Sequence, residues 1–149
     1  MKDLTEEVLP NASCVFILYK DDKVLLHLRD DKAPTNPNTW ALFGGGIDEE
    51  ETPTQCVVRE AKEELNYTLT NPTFLLVSRQ DHKVFEFEHV FFQEYDNQPL
   101  TLQEGADIGW FSKDELPNTM RRCQRLLVQL LFTYLEDKEL ITYTNKKHS

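Results

Sequence analysis

Between Thr52 and Asn66 the chain specifies both ends of a helix, and that helix constrains everything packed around it. Thr52 is a favourable N-cap, Pro53 suits the first helical position, and Gln55 stands three residues after Thr52 to complete a capping box. Asn66 tolerates the left-handed conformation that ends a helix, a position more often given to glycine. These signals predict a helix over 53–65. On it Glu60 and Glu63 are spaced i,i+3, and Glu60 and Glu64 i,i+4, so the carboxylates are neighbours on one face. Like charges so placed repel by roughly a few tenths of a kcal/mol per pair. Just upstream, Gly44, Gly45 and Gly46 predict a flexible turn that lets backbone carbonyls approach a ligand. Carboxylates and a carbonyl converging on one point suit a divalent cation, and with it phosphate chemistry. A solvated acidic helix face is the plainer alternative, because the chain carries a net charge of −10.

That charge bears on partners. The phosphate backbone of a nucleic acid repels an acidic surface, so no stable RNA or DNA partner is expected. A small phosphorylated substrate whose charge is bridged by metal is compatible with it. A length of 149 residues suits one compact domain with its own core. Cys14, Cys56 and Cys123 are odd in number, far apart in sequence and without metal-type spacing, which predicts reduced thiols and an intracellular protein. The opening residues MKDLTEEVLP lack the apolar stretch of a signal peptide, and no run approaches the ~18 apolar residues of a membrane span. The expected location is the cytoplasm. No surface patch identifies an interface, which leaves monomer and homodimer open.

Along the chain, 13–19 and 23–29 read as a hairpin turning at Asp21-Asp22. The polar, proline-containing stretch 30–38 reads as a loop of the kind that lines a site. A short strand is expected over 40–43, and further strands over 73–79, 84–95 and 107–111. From about Asn118 to Leu135, Met120, Leu126, Leu127, Leu130, Leu131 and Leu135 recur at helical spacing. Strands, helix, strands, helix, with no repeat and no linker, predict an α/β fold with a mixed sheet between helices.

Gly45, five residues, Glu51, seven residues, then Arg59-Glu60-Ala61-Lys62-Glu63-Glu64 resembles the signature box of the Nudix hydrolases at every charged position. The box, Gly45 to Tyr67, covers about a sixth of the chain. Inside it Asn66 replaces the usual glycine. Upstream, Trp40-Ala41-Leu42-Phe43-Gly44-Gly45 carries Phe43 where the family often has proline. The resemblance implies an α/β/α sandwich and a metal-dependent pyrophosphohydrolase using Mg2+ or Mn2+. It implies that Glu60 and Glu64 are metal ligands, with Glu63 a direct or water-mediated one and a carbonyl of Gly44 or Gly45 completing the set. Glu51 and Arg59 correspond to an ion pair that supports the helix.

The general base is open between a box glutamate, Glu60 or Glu63, and Glu104, six residues before Trp110 in the loop QEGAD. An ordinary loop acid is the competing reading for Glu104. Arg29 ends the second strand, where it suits either phosphate contact or a surface ion pair. Trp40, Phe43 and Phe85 are apolar rings for stacking on a base or for the core. Asn118 suits either a helix N-cap or base recognition of the kind found in oxidised-guanine sanitisers. His27, His82 and His89 show no ligand spacing. The expected substrate is a nucleoside diphosphate linked to another group, most simply a small nucleotide such as a nucleoside triphosphate or its oxidised form. Nucleotide sugars, dinucleoside polyphosphates and a non-catalytic nucleotide sensor are the alternatives.

Overall fold

The computed structural model describes residues 3–79 and 84–148, with backbone alone beyond residue 137. Its centre is β1, Ala12–Lys20, whose apolar run is buried on both faces, as expected of a strand covered on both sides. Asp21, at φ 54°, turns the chain into β2, Lys23–Leu28, antiparallel to β1. β3, Trp40–Ala41, pairs with β2, and β4, Phe43–Gly46, pairs antiparallel with β1. After the helix α1, Pro53–Leu65, come β5, Thr73–Arg79, and β6, Phe87–Glu94, antiparallel to each other. β6 runs parallel to β1, and β7, Asp107–Ser112, runs antiparallel to β2. The result is one mixed seven-stranded sheet. The chain ends in α2, Arg122–His148.

Alternation along β1 assigns the two faces. Cys14, Phe16 and Leu18 pack with Cys56, Val57, Ala61 and Leu65 of α1. Val15 and Ile17 pack with Leu127, Val128, Leu131 and Phe132 of α2. This is the expected α/β/α sandwich.

The predicted helix ends are present. Gln55 N–H donates to Thr52 Oγ1 at 3.1 Å, and Thr52 N–H donates to Gln55 Oε1 at 3.0 Å. Asn66 sits at φ 51°, ψ 35°, and its N–H and that of Tyr67 donate back to Lys62 and Ala61 carbonyls.

Other expectations are corrected. Gly44–Gly46 is not a turn but part of β4. Glycine is needed at Gly44 because a Cβ there would collide with the Cys14 carbonyl across the ladder. The cysteines are not all separate thiols: Cys14 of β1 and Cys56 of α1 form a disulfide with Cα atoms 6.3 Å apart, joining the sheet to the helix. Cys123 is free. A sequence separation of 42 residues concealed the pair. The last helix begins at Arg122 rather than near Asn118, and Leu126 and Leu130 of the expected apolar stripe are half-exposed. Its buried stripe is Leu127, Val128, Leu131 and Phe132. β6 starts at Phe87, three residues later than expected. His82 lies outside the described residues. His89 is fully buried and packs the N-terminal segment onto the sheet, its Nδ1 lying 3.0 Å from the Leu4 carbonyl.

Candidate active site

Arg59 holds the box together. Its guanidinium grips Glu51 with two bonds, Nε to Oε2 at 2.7 Å and Nη2 to Oε1 at 3.0 Å. Such a planar two-bond pairing fixes orientation as well as charge. Nη2 also donates to the Gly46 carbonyl at 3.0 Å, while Nη1 donates to Glu60 Oε1 at 2.9 Å and Glu63 Oε2 at 3.1 Å. The Glu51 bonds are the main reason the Arg59 pKa is driven upward and that of Glu51 downward. These contacts tie α1, the end of β4 and the loop after it together.

Glu60 and Glu64 point inward, each only 9% exposed. Gly45 makes room for Glu60, since a Cβ there would run into its carboxylate. Burial pushes the Glu64 pKa up to about 9, reinforced by the charges of Glu60 and Glu104 and opposed by a backbone hydrogen bond from Gly44. Glu64 Oε2 is fully buried with no hydrogen-bond partner among the described residues. Burial also raises Glu60, against the pull of Arg59. A buried carboxylate of this kind is costly unless a positive partner meets it.

The loop before β7 brings Glu104 to this point. Gln103 N–H donates to the Glu64 carbonyl at 2.8 Å and Thr101 N–H to the Leu65 carbonyl at 2.9 Å, so the loop satisfies the end of α1. Glu104 then lines a cavity of about 170 Å³ with Glu64, Gly105, His27 and Arg29. Glu63 lies differently: its side chain is 59% exposed and tied to Arg59.

The donor chemistry suits a hard divalent cation, with carboxylate oxygens close to strand carbonyls. The partnerless Glu64 Oε2 and the mutual charges of Glu60, Glu64 and Glu104 fit such an ion. The carbonyls of Gly45 and Gly46 face α1, at 3.8 and 3.7 Å from Cys56 Sγ. Among the described residues no three acidic, histidine or cysteine side chains are already gathered into a cage. Glu60 and Glu63 each direct an oxygen to Arg59 instead.

A second cavity, of about 190 Å³, opens beside the first and shares His27, Arg29 and Glu64 with it. Arg29 is held by its own loop, with Nε donating to the Thr35 carbonyl at 2.8 Å and Nη2 to Thr35 Oγ1 at 3.1 Å. Of the five side chains expected to meet substrate, Arg29 and Phe85 line these cavities, whereas Trp40, Phe43 and Asn118 do not. Phe43 is 1% exposed, stacked between Phe16 and His27 at centroid distances of 5.5 and 4.7 Å, because its strand position faces the core. Trp40 packs edge-on against Phe111 at 4.8 Å. Asn118 sits exposed in a turn ahead of α2 and does not cap it.

In their place the structure brings Ser13, His27, Arg121 and Gln124 to the second cavity. His27 is buried, which pushes its pKa down to about 4, with the Arg29 charge adding to the effect. The neutral ring lies with Nε2 3.2 Å from the Leu42 carbonyl. Gln124 is a polar residue on the buried side of an apolar helix, a signal readable in the sequence. Ser13 heads an apolar strand and gave no such signal.

Residues 8–131 match the NUDIX domain family model, and the chain belongs to that family and is a Nudix hydrolase. An uncharacterized Nudix hydrolase of Bacillus subtilis, YvcI, is 26% identical over 146 residues, spanning 85% of this chain and 89% of the relative. The crystal structure of a MutT NUDIX hydrolase from Burkholderia pseudomallei superposes with a TM-score of 0.72 at 25% identity, over 80% of this chain and 95% of that one. The NUDIX domain of Shewanella oneidensis NrtR, solved in complex with ADP ribose, shares the fold with a TM-score of 0.66 at 22% identity, over 83% and 86% of the two chains.

Proposed function

We propose that this Nudix hydrolase is a Mg2+- or Mn2+-dependent pyrophosphohydrolase that cleaves a phosphoanhydride bond of a small nucleotide. The observation that carries the reading is the buried, partnerless Glu64 Oε2, which feels the charges of Glu60 and Glu104 and lines a cavity with Glu104. Glu60 and Glu64 would hold the metal, with the carbonyl of Gly44 or Gly45 and with Glu63 once released from Arg59. The cation would neutralise the phosphate oxygens and polarise the phosphorus under attack.

The protein's own groups do the rest. Glu104, on the loop docked against the end of α1, would accept a proton from the attacking water, with Glu60 the box alternative. Arg29 reaches the shared wall of the two cavities, where a phosphate passing from one to the other would meet its charge. Arg59 and Glu51 keep α1 in register with β4, a positioning role. A nucleoside triphosphate or an oxidised form of one is the favoured substrate. A nucleoside diphosphate bonded to a sugar is the second reading, favoured by the ADP ribose complex of the Shewanella domain. A cytoplasmic setting belongs to this proposal through the substrate, although the Cys14–Cys56 bond points away from a strictly reducing one.

The test is phosphate release from a panel of nucleoside triphosphates, oxidised forms and ADP ribose, with Mg2+ or Mn2+ and added pyrophosphatase. Glu64→Gln is expected to lower turnover by roughly a hundredfold or more while leaving the fold intact. Full activity in both Glu60→Gln and Glu64→Gln would overturn the metal assignment. Nucleotide binding without turnover on any substrate would replace the enzyme with a sensor.

A further inference from the structure

Three residues of α1 stand in one line against the sheet. Cys56, Glu60 and Glu64 are spaced i, i+4, i+8, and all three are buried. At the head of the line the Cys14–Cys56 bond crosses from α1 to β1. Cys14 is the register partner of Gly45, and its carbonyl is the atom that a Cβ at Gly44 would strike. One covalent bond therefore fixes the spacing between the helix that carries the carboxylates and the strands that carry the carbonyls. The Arg59 bond to the Gly46 carbonyl ties the same two pieces, but from a side chain that is 26% exposed.

Reduction has to find room in a packed core. Both cysteines are fully buried in one cluster with Phe16, Val57, Ala61, Leu65 and Phe91. Two thiols need van der Waals separation, roughly an ångström or more beyond a covalent bond. A close-packed interior has no slack of that size, so the separation is taken up by α1 moving against β1. Metal ligands tolerate displacements of only about 0.5 Å. The Cys56 sulfur also lies 3.8 and 3.7 Å from the Gly45 and Gly46 carbonyls. In the disulfide it carries no hydrogen to offer them. As a thiol it is a donor, and it would compete with a cation for the Gly45 oxygen.

We propose that Cys14 and Cys56 form a redox-set anchor for the metal ligands. Joined, they hold Glu60 and Glu64 in register with β4; reduced, they let that register slip and weaken the binding of a divalent cation. The proposal rests on the metal reading above and adds its regulation. Reduction by a dithiol breaks the S–S bond, places two electrons and two protons on the pair, and turns the dithiol into its own disulfide. Hydrogen peroxide reverses the step, taking two electrons and two protons from the thiols and leaving as two waters. Because neither cysteine is exposed, exchange waits for α1 to open from the sheet, and each state persists once set.

The experiment is Mn2+ binding to the whole protein, read from the paramagnetic resonance signal of the free ion. One sample is treated with stoichiometric hydrogen peroxide, the other with a small dithiol that is then removed without air. Thiol counts after denaturation verify each state: one, from Cys123, when oxidised, and three when reduced. The reduced protein is expected to bind Mn2+ about ten- to hundredfold more weakly, and reoxidation to restore the affinity. Cys14→Ala removes the bond and leaves the Cys56 thiol. It should bind as the reduced parent does after either treatment, with thermal melting reporting the fold. Equal affinity in the two verified states would overturn the proposal and leave the metal reading standing. So would a count that stays at one under dithiol, or a folded Cys14→Ala that binds like the oxidised parent. Absence of Mn2+ binding even in the oxidised protein would remove the metal reading and this inference with it.

Discussion

The two walls of the site are assembled in different ways. On the α1 side Glu51, Arg59, Glu60, Glu63 and Glu64 lie within fourteen consecutive residues, 51–64, and one guanidinium bonds to four groups among them and β4. On the α2 side Ser13, Leu42, Arg121 and Gln124 come from opposite ends of the chain and meet only through β1, the stretch after β3 and the last helix. The first wall is acidic and suited to an ion. The second mixes Ser13, Gln124 and Arg121 with the carboxylate of Glu88. The first wall is thus a local, self-bonded unit, whereas the second is assembled from residues that can vary one at a time.

His27 is where the comparison breaks most readily, because it lines both cavities and stacks on Phe43 beneath them. Its folded pKa of about 4 lies below the ordinary 6.5. Above pH 6.5 the ring is neutral whether folded or unfolded, and stability does not depend on its protonation. As pH falls from 6.5 towards 4 the unfolded chain takes up a proton that the folded one refuses, so stability is lost across that window. The full difference is worth about 3 kcal/mol at the acid end. His27→Gln keeps an N–H for the Leu42 carbonyl and removes the titration. Denaturant unfolding at pH 7, 5.5 and 4 should show the variant losing about that much less than the parent. Parallel pH profiles for the two proteins would mean that the ring is not held neutral between the cavities.

The same division explains what could be read in advance. Helix α1, both of its caps and the carboxylate face were legible because each is a local signal, set by residues three or four apart. Glu104 was legible from its loop, although its approach to Glu64 depends on the Gln103 and Thr101 backbone bonds that dock the loop on α1. The glycine strand was misread as a turn because glycine permits both, and only the Cys14 carbonyl and the Glu60 carboxylate show which is required. Trp40 and Phe43 were offered to substrate because aromatic rings suit a base and a core equally well, and strand alternation sends Phe43 to the α1 core. Ser13 was invisible, since nothing in a sequence distinguishes a satisfied hydroxyl from an unpaired one.

Arg59→Lys tests the α1 wall as a unit. Lysine keeps the charge and loses the two-bond grip on Glu51, so Glu60 and the Gly46 carbonyl lose their common anchor. The expected result is a ten- to hundredfold weaker dependence on Mg2+ in turnover assays, of the order seen when supporting contacts to ligands are removed. No Arg59 contact reaches Ser13 or Gln124 on the other wall. An unchanged Mg2+ dependence in this variant would show that the α1 wall does not act as a unit.

The smallest effect is expected at Asn66, the departure inside the box. Its φ of 51° costs any residue with a Cβ some energy, and asparagine less than most. Asn66→Gly should therefore raise unfolding stability by less than about 1 kcal/mol. Metal dependence should be unchanged, because the backbone bonds that close α1 come from N–H groups that glycine retains. A silent substitution here, set beside a decisive one at Arg59, would show that the α1 wall depends on its guanidinium grip rather than on how the helix ends. A changed metal dependence in Asn66→Gly would instead tie the end of α1 to its carboxylate face, and the cap would have to be counted as part of that wall.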